Sequence, residues 1–228
     1  MKTYRLILAL FGMAMVVFTS CENDNDLEKP TLQLEFETVT SESSLKSTAA
    51  NSIEFTSGHI ILENVEFQTE SETDSVEVDF EIDSYITLDF ATGETDPDLS
   101  YVEIVPGNYT EIEIEVELWD QNDQPSIDLS GTWTNENDTE IPVRLLLPVG
   151  QTFSLEQEGE FTIGESTSVI ARITFDPNAW FAGDAGELLP EATKNEEGVI
   201  VVSPDQNPNI YDIIKDAIDR TSEVEIEM

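Results

Sequence analysis

Between Thr110 and Trp119 the chain reads TEIEIEVELW, so Glu111, Glu113, Glu115 and Glu117 alternate with Ile112, Ile114, Val116 and Leu118. On a strand, side chains at every second position share a face, so the four carboxylates stand together. Such a row has the donors of a hard-cation site, the residue type of a carboxylate-dependent hydrolase, or the makings of a wet sheet face. Magnitudes favour the wet face. Burying the four apolar partners contributes about 1.5–3 kcal/mol each, whereas like charges facing each other across strands cost about 0.2–1 kcal/mol per pair. The row therefore requires no ligand, and its charge discourages edge-to-edge association.

Other residues with chemistry to offer are few. His59 is the only histidine and Cys21 the only cysteine, so neither a zinc site nor a nucleophile–base pair can be assembled from them. No G-x-S-x-G elbow or phosphate-cradling glycine loop is present. Asp96 and Asp98 in ETDPDLS, and Asp120, Asn122 and Asp123 in DQNDQ, are oxygen donors closely spaced on turns. They suit calcium by type but lack the central glycine and terminal glutamate of the calcium loop. Glycoside hydrolysis needs two acids about 5–10 Å apart, and a chain with 49 acidic residues offers such pairs without information. No catalytic residue is assigned, and the expectation is a protein that is not an enzyme. Trp133, in SGTWTNEND, sits among polar residues and is a candidate for stacking on a sugar ring, as are Trp119, Trp180 and Tyr211. Each has the competing role of filling a core. Asp74–Val76, DSV, resembles the three-residue O-glycosylation acceptor of Bacteroidetes-type exported proteins, with Ser75 as the modified residue.

The N-terminal residues imply a compartment. Lys2 and Arg5 precede an apolar run from Leu6 to Phe18, too short for a bilayer core that takes about 20 residues and shaped like a secretory signal. Cys21 follows Thr19 and Ser20, an arrangement that resembles the lipobox of bacterial lipoproteins, with Phe18 in place of the usual leucine. The resemblance implies a lipidated (palmitate-bearing) Cys21 as the mature N-terminus and an outer-membrane location. The next residues, ENDNDLE, resemble the acidic export signal of surface-exposed lipoproteins. Beyond residue 20, seven basic residues face 49 acidic ones, a formal charge near −42. That field disfavours nucleic acid and anionic headgroups, leaving the lipid anchor as the membrane contact and an unidentified protein or glycan as partner.

These residues need elements to position them, and the dominant period is two. Between Val76 and Phe90 the even positions are mostly apolar and the odd ones mostly acidic, with a bend expected near Asp83–Ser84. Further strands are expected at Leu32–Glu37, Ile53–Thr56, His59–Glu70, Val102–Val105, Thr110–Trp119, Ile141–Leu147, Thr152–Glu158 and Ser168–Phe175. Turn residues such as VPGN and LPVG separate them. Ile210, Ile213, Ile214, Ala217 and Ile218 share one face of a helix over 208–221, with Asn207 as its cap and Pro208 in its first turn. Asp176–Asp184 suggests a helical turn whose Trp180 and Phe181 plug one end of the fold, and EVEIEM suggests a last strand.

The expected architecture is all-β: an antiparallel β-sandwich, immunoglobulin- or transthyretin-like, with one C-terminal amphipathic helix. Residues 1–20 are expected to be a lipoprotein signal peptide. Residues 21–52 would form an acidic tether, a short strand and a linker, and residues 53–228 the sandwich domain. VPGNYTEIEIEVEL (105–118) with GEFTIGESTSVIARITFD (159–176) resembles an uncharacterised family of bacterial surface lipoproteins. In that family a Gly-x-Tyr-Thr turn opens one strand and a later strand ends in Phe-Asp. The matching positions are Gly107, Tyr109, Thr110, Ile112, Phe175 and Asp176, and the resemblance implies an exported β-sandwich without transferring any activity. The expected function is therefore a non-catalytic binding or structural module at the cell surface. A glycan-binding accessory lipoprotein using Trp133 is the first alternative, and a carboxylate-dependent glycoside hydrolase the second.

Overall fold

The computed structural model describes residues 30–39, 52–70, 80–99, 102–119, 124–148, 152–165, 167–221 and 223–227. Its strands are β1 (Thr31–Thr38), β2 (Ser52–Glu70), β3 (Phe80–Asp89), β4 (Thr95–Asp96), β5 (Val102–Glu103), β6 (Gly107–Leu118), β7 (Ile127–Thr134), β8 (Glu140–Leu147), β9 (Thr152–Ile163), β10 (Ser168–Phe175), β11 (Ile200–Val202) and β12 (Glu223–Glu227). The helical pieces are α1 (Pro177–Trp180), α2 (Asp184–Leu188), a 3-10 turn at Leu189–Glu191, and α3 (Pro208–Thr221). The chain is all-β with few helices, as the period-two patterning predicts.

Strand β2 is the spine. One of its edges pairs with β3; the other takes β7 along its first half and β6 along its second. Its buried residues explain why the sequence reads as two segments. Phe55 is buried, then Ile60 and Leu62, then Val65, Phe67 and Thr69, so the inward parity changes twice. Register shifts lie between Phe55 and Ser57 against β7, and between Leu62 and Asn64 against β3 and β6. An extra residue on one strand flips every later side chain to the other face, and two such insertions keep the core face continuous. Gly58 and Gly131 make the first crossing feasible: a Cβ on Gly58 would overlap the Asp128 carbonyl oxygen, and one on Gly131 the Glu54 carbonyl oxygen. The bend expected near Asp83–Ser84 is the second shift, where β3 passes two residues against the single Glu63 and continues unbroken.

From β2 the large sheet extends as β11-β8-β7-β2-β3-β4, with β6 and then β9 branching off β2's second half. A second sheet has the order β12-β10-β1-β5. Most pairings are antiparallel, but β1 with β10 and β11 with β8 are parallel, which corrects the wholly antiparallel expectation. β1 is also more than a strand ahead of the domain, because it is held between β10 and β5. Both sheets feed one core: Leu32, Leu34 and Phe36 of β1 join Ile60, Leu62, Ile86, Val116 and Leu145 of the large sheet in a single buried cluster. Helix α3 adds Ile210, Ile214 and Ile218 to it, the face read from the sequence. α1 adds Trp180, and Phe181 beyond it meets the Phe55 ring at 5.5 Å.

Asn207 departs from its expected role. Its φ of 55° turns the chain into α3, and its carbonyl accepts from the Ile210 and Tyr211 amides. The side chain leaves the helix end altogether. Its Oδ1 accepts from Thr193 N at 2.8 Å, while Nδ2 donates to Thr193 O at 3.0 Å and Val201 O at 2.7 Å. Asn207 therefore ties the segment after the 3-10 turn to β11, and Asn tolerates the left-handed conformation this needs.

Candidate functional site

The glutamate row lies where the alternation places it. Ile114, Val116 and Leu118 are fully buried, while Glu113, Glu115 and Glu117 are half-buried on the opposite face. Pairing deepens the acidity. Glu115 stands opposite Glu66, which stands opposite Glu81, and Glu111 stands opposite Glu70. Burial, then Glu66, Glu113 and Glu117, push the Glu115 carboxyl above the ordinary glutamate range. This face strains against its own charge, and among the described residues no group of three or more His, Cys, Asp or Glu is arranged to hold a metal.

The Gly-x-Tyr-Thr turn has a structural cause. Tyr109 folds its ring back over Gly107, where an added Cβ would sit 3.1 Å from the ring, and its hydroxyl donates to Val105 O at 2.5 Å. The Thr110 hydroxyl donates to Glu70 O at 3.3 Å, fastening β6 to the end of β2. Phe175 closes β10 in the core, stacked on Phe36 at 6.4 Å. Asp176 caps α1 by accepting from Asn178 N at 2.9 Å and Ala179 N at 3.2 Å. These motif residues build corners and caps.

Among the described residues, two concavities stand out. The larger is an open groove of about 990 Å³ between β1 and the turn after β3, lined by Glu35, Glu37, Glu94, Asp98 and Arg172 among others. Arg172 reaches Glu35 at 3.1 Å and Glu37 at 3.7 Å. Glu94 and Asp98 are exposed, and the Glu37 side chain is 53% exposed. A general acid at neutral pH needs a carboxyl withdrawn from water; the groove's acids are wet or held by Arg172. Glu115, the carboxyl raised by burial, does not line it.

The smaller pocket, about 330 Å³, lies between the β7–β8 hairpin and the 3-10 turn. Trp133, Ile141, Leu189 and Pro190 give it apolar walls, and Asn135, Glu136, Asn137 and Lys194 supply polar ones. Asn135 shapes the hairpin loop by accepting from Asn137 N at 2.9 Å and Thr139 N at 3.0 Å. Trp133 is only 3% exposed, so the expectation of an open stacking platform is corrected: the indole is a core residue bordering the pocket. Its Nε1 is buried without a hydrogen-bond partner.

Trp180 and Tyr211 are likewise buried, whereas Trp119 is half-buried and meets Tyr85, itself 47% exposed, edge-to-face at 5.0 Å. Asp96 is exposed on β4 and Asp98 borders the acidic groove, and among the described residues neither belongs to a group of three or more candidate ligands. Asp120, Asn122, Asp123, Ser75 and Cys21 lie outside the described residues. The pocket at Trp133 was legible only in part, since Leu189, Pro190 and Lys194 come from a segment 56 or more residues downstream with no motif to flag it. No family model, curated protein or solved structure matches this chain.

Proposed function

We propose that this protein is a lipid-anchored outer-membrane protein whose all-β domain serves as a non-catalytic binding or structural module at the cell surface. The observation that carries the reading is the placement of Cys21, the sole cysteine, directly after Thr19 and Ser20 at the end of a short apolar run led by Lys2 and Arg5. Acyl chains there would hold the chain at a membrane, each buried methylene contributing about 0.8 kcal/mol. Among the described residues no helix is long and apolar enough to cross a membrane, so attachment in this reading is by lipid. We further infer that the two sheets close as a β-sandwich of the immunoglobulin or transthyretin kind. In support, β1 of the smaller sheet and β2, β3 and β6 of the larger share one buried cluster.

The non-catalytic part of the proposal draws on the wet acids of the large groove and on a lone, half-buried His59. The test is metabolic labelling with an alkyne palmitate analogue, followed by protease shaving of intact cells. The expected result is label on the wild-type chain, none on Cys21→Ser, and release of the domain by external protease. Equal labelling of both chains refutes the anchor, and full protection from protease refutes the surface location.

A further inference from the structure

We propose that the pocket between the β7–β8 hairpin and the 3-10 turn binds one neutral sugar residue, for instance the end of a glycan chain. This deepens the binding-module reading and rests on it. The pocket's chemistry selects the ligand. Trp133, Ile141, Leu189 and Pro190 line it with hydrocarbon, and Asn135, Glu136, Asn137 and Lys194 with amide, carboxylate and ammonium groups. An apolar wall with a few convergent polar groups is the usual make-up of a small-molecule site. A pyranose has both parts, with C–H faces for the wall and hydroxyls for the rim.

Two further observations narrow the choice. Charge decides against an anion: Glu136 and Lys194 cancel within the pocket, and the chain's overall field is strongly negative. Size decides against a long ligand, because about 330 Å³ is at the small end of ligand pockets, which span about 300–1,000 Å³. The loop is also pre-shaped by the Asn135 hydrogen bonds, which lowers the ordering cost of binding.

The experiment uses the ¹⁵N-labelled full chain, whose Trp119, Trp133 and Trp180 give three assignable indole N–H signals. It is titrated with the methyl glycosides of glucose, galactose, mannose and N-acetylglucosamine, each to about 50 mM so that millimolar Kd values are covered. Glycerol serves as the control for non-specific polyol effects. The expected result is a saturable shift of the Trp133 indole with at least one glycoside and none with glycerol. Asn137→Ala and Lys194→Ala, both at exposed positions, should each weaken the Kd about fivefold, the scale of one lost hydrogen bond. A motionless Trp133 signal overturns the proposal, as does an unchanged Kd in both variants. Movement of Trp119 alone overturns this pocket while leaving a binding module intact. Loss of the Cys21-dependent label in the earlier test refutes the anchored reading without touching the titration.

Discussion

Tyr109 and Glu115 respond to burial in the same direction, with consequences at opposite ends of the pH scale. Burial pushes the Tyr109 and Tyr211 phenols above 10, with Asp212 adding to the second. The folded state then holds those protons more tightly than the unfolded chain, so stability is intact below pH 10 and declines as pH rises beyond it. Denaturation midpoints measured from pH 8 to 11 should fall at the top of that range, and less steeply in Tyr109→Phe. At neutral pH the same substitution should cost about 1 kcal/mol by removing the bond to Val105 O. Glu115 also has a raised value, so its ionisation opposes folding. As pH falls from neutral toward 4.5 that penalty disappears and stability rises. Glu115→Gln should remove it at pH 7, giving about 0.2–1 kcal/mol in urea denaturation and a flatter pH dependence.

At the scale of elements, the ties between segments outweigh the propensities of each. Asn207→Ala should cost about 1–3 kcal/mol, because it leaves the Thr193 and Val201 carbonyls and the Thr193 amide without their side-chain partner. Hydrogen exchange should then accelerate in β11 and in the 193–195 segment. A mere helix cap would loosen the first turn of α3 alone. Elements with uninterrupted alternation, such as β10 and β6 from Glu111 onward, were legible from sequence, as was the isoleucine face of α3. β7 was not, although Ile127, Leu129 and Trp133 keep its period. Gly131 blanks one inward position, and it must be glycine because the Phe55–Ser57 shift in β2 brings a backbone carbonyl against it. Trp133 misled for a related reason: its polar neighbours Thr132 and Thr134 belong to the other face of the strand, and Asn135–Asp138 to the hairpin loop. β11, three residues long, lies below the length at which a period can be read.

For the whole molecule, charge is the main adjustable quantity. With a formal charge of −40 over 228 residues, self-repulsion is relieved when salt shortens the screening length from about 10 Å at 0.1 M to about 3 Å at 1 M. The melting temperature should rise by at least about 3 °C over that range, the shift that 1 kcal/mol produces in a domain of this size. A flat response would mean that the acidic faces are already neutralised by bound cations, and chelator would then lower the melting temperature. The bidentate Arg144–Asp128 pair, at 2.9 and 2.6 Å, is an exposed exception within this field and should weaken over the same salt series.

The position of β1 has a mechanical meaning. Thr31 lies beside Ser168 and Glu227 beside Ile170, so both ends of the described chain meet the first residues of β10 at one end of the small sheet. A lengthwise tug on the segment before Pro30 would drag β1 along β10 and load all the rungs between Thr31 and Thr38 together, where a sideways peel would break them singly. The pairing nearest that segment is thereby loaded in its stronger direction.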